Sequence, residues 1–201
     1  MSHLKLLIKK KKRMAELFDL LDCATANNIE TLQSLLTRTD IDINMKDSNL
    51  FGWTPLILSC IYGHTKIVEL LLNDERIEEN VVDHFGQTAF FLACLNGKVE
   101  VVKLMLRNEK VNVGKARSDG LIPLAAACVH GHLEIVEWIL VSGRTVNQNE
   151  KDKRGRDAID WAIERDRPQI VTLLGSFGMD PEKTRFNLRK QLGISGFILF
   201  Y

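Results

Sequence analysis

No stretch of this sequence approaches the roughly 20 consecutive apolar residues needed to cross a bilayer; Leu4–Ile8 and Phe197–Tyr201 are both far too short. No long apolar segment follows the basic residues near the N-terminus, so a secretory signal is not expected and the chain reads as intracellular and cytoplasmic. A surplus of one charge sign is missing as well. The formal net charge is +1, and beyond the first 13 residues 21 basic side chains face 26 acidic ones, so no nucleic-acid footprint is expected. The four cysteines form no C-x-x-C pair and have no histidine pair nearby at ligand spacing, which argues against metal and disulfide use. Glycines never gather into a phosphate-cradling loop, Ser59 lacks a nucleophile elbow, and no histidine has a cysteine or carboxylate at dyad spacing. Catalysis, a cofactor and a small-molecule substrate are therefore not expected. With 45% hydrophobic and 26% charged residues, the body has the composition of an ordinary soluble, folded protein.

What the chain has instead is repetition. Gly52-Trp53-Thr54-Pro55-Leu56, Gly86-Gln87-Thr88-Ala89-Phe90, Gly120-Leu121-Ile122-Pro123-Leu124 and Gly155-Arg156-Asp157-Ala158-Ile159 recur at spacings of 34, 34 and 35 residues. An apolar run follows each at constant distance: Ile67–Leu72, Val101–Leu106, Ile135–Leu140 and Ile170–Leu174. A fixed period of this size means one supersecondary unit stacked on copies of itself, which presents a surface rather than a catalytic pocket. Cys60, Cys94 and Cys128 fall in phase with that period, and Cys23 is one position away in the first unit. Repeated small hydrophobes inside apolar helices read as reduced, buried core.

Residues 47–80 show how a unit is built. Thr54 fits an N-cap and Pro55 the first helical position, where no N–H is needed. Leu56, Ser59 and Cys60 then face inward, and Gly63 supplies the left-handed residue that ends the helix. His64-Thr65 opens a second helix with the stripe Ile67, Val68, Leu70, Leu71, and Asn80 to Gly86 reads as a tight turn into the next unit. Thr54-Pro55-Leu56, Gly63-His64, Ile67-Val68 through Leu72, and Asn80-x-x-Asp83-x-x-Gly86 together are similar to the ankyrin repeat, as are Thr88-Ala89-Phe90 with Gly97 and Pro123–Ala127 with Gly131 to Val136. The resemblance covers about residues 15–180. It implies an all-α solenoid of about five stacked helix-turn-helix-hairpin units: 15–47, 48–81, 82–115, 116–150 and 151–180. A basic tail (1–14) precedes them, and a C-terminal helix with an apolar end (181–201) follows.

Several units depart from the pattern. Asp19 stands at the cap position of the first, without proline, and Asn28 replaces the left-handed glycine. In the last unit Asp157 caps, with Asp160 completing a helix N-terminus, Asp166 takes the glycine position and Pro168 comes early in the next helix. Both ends read as polar caps on the apolar stack. Ile122 replaces the capping threonine, a loss of about 1 kcal/mol at that helix start. The Asn44–Gly52 loop is two residues longer than Asn80–Gly86, so the first hairpin is expected to protrude. Gly114 and Arg117 stand where Asn80 and Asp83 stand, which makes the turn before Gly120 the least secure.

The resemblance further implies that a partner protein binds at the hairpin tips and along the concave face of the first helices. Here those positions include Leu50, Phe51, Trp53, Ile61 and Tyr62, then Phe85, Gln87 and Leu95, then Leu121 and His130, and finally Arg154, Arg156 and Arg165. Phe51, Trp53, Tyr62, Phe85 and Leu121 would form an apolar band of aromatic anchors, and the arginines a basic edge beyond it. The competing reading folds Trp53 and Phe85 back onto neighbouring hairpins as packing. His64 and His132 take a structural hydrogen-bonding position. A non-catalytic adaptor or scaffold follows, or alternatively the substrate-targeting part of a larger enzyme such as a ubiquitin ligase or signalling enzyme.

The tails leave alternatives open. Lys5 and Lys9-Lys10-Lys11-Lys12-Arg13 put six positive charges in the first 13 residues with no acid. They read as a nuclear-import signal, a membrane-surface patch, or the solvated start of the first helix. Pro181 to Leu192 predicts an amphipathic helix packed on the last repeat and stopped by Gly193. The Phe197–Tyr201 end is buried, self-associating, or continuous with a longer chain.

Overall fold

The computed structural model describes residues 2–47 and 51–194. Among them are eleven helices: α1 (Ser2–Ala26), α2 (Ile29–Leu36), α3 (Pro55–Tyr62), α4 (Thr65–Leu72), α5 (Ala89–Leu95), α6 (Val99–Leu106), α7 (Pro123–His130), α8 (Leu133–Val141), α9 (Ala158–Glu164), α10 (Pro168–Met179) and α11 (Pro181–Gln191). They pair as five helical hairpins. The first helix of each pair packs on the first of the next, α1 through α9, and the second helices form a parallel outer layer. Among the described residues strand pairing is limited to an isolated antiparallel bridge, Val82 with Thr88. The expected all-α repeat solenoid is what the chain forms.

Local chemistry fixes each unit. The Thr54 hydroxyl accepts from Ile57 N at 3.2 Å and Thr88 from Phe91 N at 3.1 Å, each ahead of a helix entered with an apolar run. Gly63 ends α3 at φ +84°, in the left-handed region expected of it. Ile122 makes no side-chain cap, as expected from its lost hydroxyl, and Pro123 starts that helix unaided. Asp157 accepts from Ile159 N and Asp160 N while Asp160 returns a bond to Asp157 N, a complete capping box.

The inner helices are apolar on nearly every side because they are sandwiched between neighbours. Residues 55–60 of α3, 89–94 of α5 and 123–128 of α7 are all buried. The four cysteines are free and buried there; burial pushes the Cys128 thiol up to about 12, so it stays protonated near neutrality. Cys60 Sγ lies 3.6 Å from Met105 Sδ in the same continuous core.

Two sequence expectations are corrected in the first unit. Asp19 caps nothing, because α1 has no breaker between Ser2 and Ala26 and runs unbroken through both Asp19 and the expected 14/15 boundary. The left-handed residue is Asn27 (φ +56°), not Asn28; Asn28 caps α2, accepting from Thr31 N at 3.0 Å. Asp166 does take the glycine role, at φ +52°. The turn before Gly120 forms after all. Arg117 N donates to Leu121 O at 2.9 Å, and Asp119 supplies the carboxylate that Asp83 supplies one unit earlier. At the C-terminal end α11 packs on α10 and α8, burying Thr184 and Leu188 and stopping at Gly193 (φ +67°), while Phe186 stays exposed. The tip of the first hairpin with Leu50, and Phe197–Tyr201, lie outside the described residues.

Candidate interaction surface

The hairpins project along one edge of the stack and are held in a ladder. Within each, one backbone bond closes the turn: Asp47 N to Trp53 O at 3.0 Å, Asp83 N to Gln87 O at 3.0 Å, and Asp152 N to Arg156 O at 2.9 Å. Between them, one bond joins each tip to the next: His84 N to Phe51 O (2.9 Å), Ser118 N to Phe85 O (3.0 Å) and Lys153 N to Asp119 O (2.9 Å). Buried Asp83 receives Phe85 N and Gln87 N, and Asp152 receives Arg154 N and Arg156 N, so each acid shapes its own turn. The Arg117 guanidinium beside Asp119 holds that carboxyl down to about 2. The row of tips is thus one preorganised edge.

Aromatic side chains gather on its N-terminal half. The Phe51 ring lies 5.1 Å from Trp53 and 5.7 Å from Phe85, both tilted. Phe51 and Phe85 remain 49% and 51% exposed despite this contact. Phe51 is also held at φ +62°, a left-handed conformation that costs a bulky residue about 1–2 kcal/mol. Tyr62, 52% exposed at the end of α3, stacks at 5.8 Å on His64. His64 in turn bonds Thr25 O of the preceding unit at 3.0 Å, and His132 bonds Leu95 O at 3.1 Å, the structural role expected of both. Trp53, half-buried against the core, has its indole N–H buried without a hydrogen-bond partner.

The remaining predicted positions divide. Ile61 and Leu95 are partly buried and packed on the core, and Gln87 is half-buried in its hairpin. Leu121 is 4% exposed, which takes it out of the apolar band; an apolar side chain at that turn gains by folding inward beside Ile122. His130 is exposed and stacks on His132 at 5.9 Å. Partial burial, His132, Arg165 and Arg167 all lower its pKa. Arg154 and Arg165 are exposed, whereas Arg156 is committed: its guanidinium lies 3.5 Å over the Trp161 ring and pairs with Glu164.

Two residues escaped the sequence reading. Trp161 anchors the last hairpin by donating to Asp152 Oδ2 at 3.0 Å. Arg167, at the register position of His64 and His132, lays its Nε within 2.8 Å of where a Cβ on Gly131 would stand, next to the two stacked imidazoles. Counting the repeat register through the one-residue-longer last unit would have found it.

A family model described as ankyrin repeats (3 copies) matches residues 20–116 and 109–185. Among curated proteins, the mouse (Mus musculus) SMC5-SMC6 complex localization factor protein 1 is 48% identical over 46 residues, which is 23% of this chain and 4% of that protein. The chain thus matches a small part of a much longer relative.

Proposed function

On the premise that the chain belongs to the ankyrin-repeat family, we propose that it is a non-catalytic adaptor that captures a partner protein on its hairpin tips and concave helical face. The observation that carries this reading is the set of half-exposed aromatics, Phe51 and Phe85 on the preorganised hairpin edge and Tyr62 at the end of α3, at 49–52% exposure. A rigid surface loses little entropy on binding, so the affinity rests on such anchors. The exposed Arg154 and Arg165 favour a partner segment with apolar anchors and acidic residues at one end. The name of the mouse relative, a localization factor of a complex, agrees with an adaptor that positions a partner.

The test is affinity purification with mass spectrometry, wild type against Tyr62→Ala/Phe85→Ala. At about 2 kcal/mol or more per anchor, the double variant weakens capture roughly a thousandfold while leaving the thermal transition in place. Partners retained undiminished by the folded double variant sink the reading.

A second reading is favoured by the relative's length. The matched segment makes up 4% of that protein, so this module also suits the substrate-targeting part of a larger enzyme. On either reading it works in the cytoplasm, or in the nucleus if Lys9–Arg13 directs import. An unchanged nuclear-to-cytoplasmic ratio after deletion of residues 1–13 removes the import alternative.

A further inference from the structure

The residues on either side of the short turn between the two helices of a unit keep one register through the stack. Tyr62, Asn96, His130 and Arg165 stand before the left-handed residue of successive units, and His64, Lys98, His132 and Arg167 after it. Each of the last three lies against the turn of the preceding unit: Lys98 on Gly63, His132 on Gly97 and Arg167 on Gly131. Only the last unit places arginine in both columns.

His64 and His132 each spend a ring nitrogen on a carbonyl of the preceding unit, at 3.0 and 3.1 Å. Arg167 does not. Arg165 and Arg167 donate their backbone N–H groups to Trp161 O and Ala162 O, yet among the described residues neither guanidinium has a hydrogen bond or an ion pair. Both residues are exposed, Arg165 at 5.6 Å over the Trp161 ring. The carboxylates of α9 and of the first turn of α8 are engaged elsewhere: Glu164 with Arg156, Asp160 with Asp157 N and Glu134 with Lys103. Helices α7 and α10 carry none, and Asp166, exposed in the turn itself, pairs with neither arginine. His130 completes the corner. Its ring stacks 5.9 Å from His132, and Arg167 lies against the glycine between them. Burial, then His132, Arg165 and Arg167 hold the His130 imidazole below its ordinary pKa, so both guanidiniums are within electrostatic reach of that ring.

Resting on the partner-capture reading, we propose that this corner of His130, Arg165 and Arg167 seats a phosphate monoester carried by the captured protein segment. A phosphoserine or phosphothreonine brings about two negative charges and three acceptor oxygens. One planar fork saturates a carboxylate, whereas two unpaired forks beside an imidazole suit a phosphate. A nucleic acid needs a run of cations, and one unit back towards the N-terminus the register positions Asn96 and Lys98 supply only one between them. Tyr62, the aromatic anchor in the register of Arg165, stands three units away. Three interaxial steps of about 8–10 Å separate the two by roughly 24–30 Å, which an extended segment spans in about 7–9 residues. Phosphorylation at that distance from the apolar anchor switches capture on.

The test titrates the full chain with O-phosphoserine at constant ionic strength, with glutamate as the carboxylate control, and follows the histidine ring signals by NMR. Phosphoserine moves the His130 and His132 signals saturably and glutamate does not. The signals of His64, stacked on Tyr62 without an arginine beside it, stay in place. Arg165→Gln/Arg167→Gln weakens binding by about tenfold or more. Arg167→His, which restores the residue that two other units carry there, also weakens it and leaves the thermal transition in place. Equal shifts at His64 and His130, equal binding of glutamate, or undiminished binding by the double variant overturns the proposal. So does tighter binding of an oligothymidylate than of phosphoserine. In the affinity purification, phosphatase treatment of the lysate lowers capture as the arginine variant does. Capture that survives phosphatase but still needs Tyr62 and Phe85 overturns the phosphate seat and leaves the adaptor reading standing.

Discussion

At the residue scale the hairpin edge depends on backbone conformations that few side chains tolerate. Phe51 and Gly52 are both left-handed, at φ +62° and +78°. Truncating Phe51 therefore has two outcomes that differ only in strain. Both Phe51→Ala and Phe51→Gly lose the ring contacts, but glycine occupies that region freely, so the Gly variant should be the more stable by about 1 kcal/mol in urea unfolding. Equal stabilities would mean that Phe51 is not left-handed in solution. A methyl on Gly86 (φ +79°) would stand 2.5 Å from Ser118 Oγ and 2.9 Å from Ser118 N, whereas one on Gly155 (φ +76°) meets nothing within 4 Å. Gly155→Ala thus costs only the strain of about 1 kcal/mol, and Gly86→Ala clearly more, since it also pushes two tips apart. Asp119 adds a pH signature. Its folded pKa, about 2, lies below the ordinary aspartate value of 3.8, so its contribution is present above pH 4 and is lost as pH falls toward 2. Asp119→Asn should flatten acid destabilisation in that window; an unchanged acid limb in the variant would contradict the Arg117–Asp119 pairing.

At the scale of elements, arginines tie one unit to the next. The Arg144 guanidinium donates to Leu106 O, Asn108 O, Glu109 O and Val111 O, closing the end of α6 from the following repeat. Arg76 does the same for Leu36 O and Arg38 O. Arg144→Ala leaves several carbonyls without their donor and should cost about 2–3 kcal/mol; Arg144→Lys, a point charge without the planar fork, should recover only part. Full recovery by lysine would refute a geometric role. The helices themselves were legible because Thr-Pro-Leu and glycine punctuation recurs with one period. Arg144 was not, because its role lies in reaching the preceding unit, and one residue's type carries no sign of that. The Asn27–Asn28 shift arose because asparagine suits both the left-handed turn and the cap, so two in succession leave the register open. Leu121 was misplaced because a turn position in a repeat marks a location and says nothing of depth.

At the scale of the whole molecule, the constant positions of the repeat became caps, turns and core, and the variable ones became the exposed edge. Composition and period revealed that much, including the in-phase cysteines that form one buried column. The division of labour along the edge was visible only in the fold: Arg156 is spent on Trp161 and Glu164, Arg165 is exposed but also lies 5.6 Å over the Trp161 ring, and Arg154 is left to solvent. Because each unit touches only its neighbours, perturbations stay local. The central claim is that a partner meets the hairpin tips and first-helix ends, not the outer helices. Amide hydrogen exchange of the chain with and without its captured partner measures this directly. New protection should appear at 51–53, 61–63, 84–87 and 95–97, leaving α4 and α6 unchanged. Protection confined to α4, α6 and α8 would contradict the account.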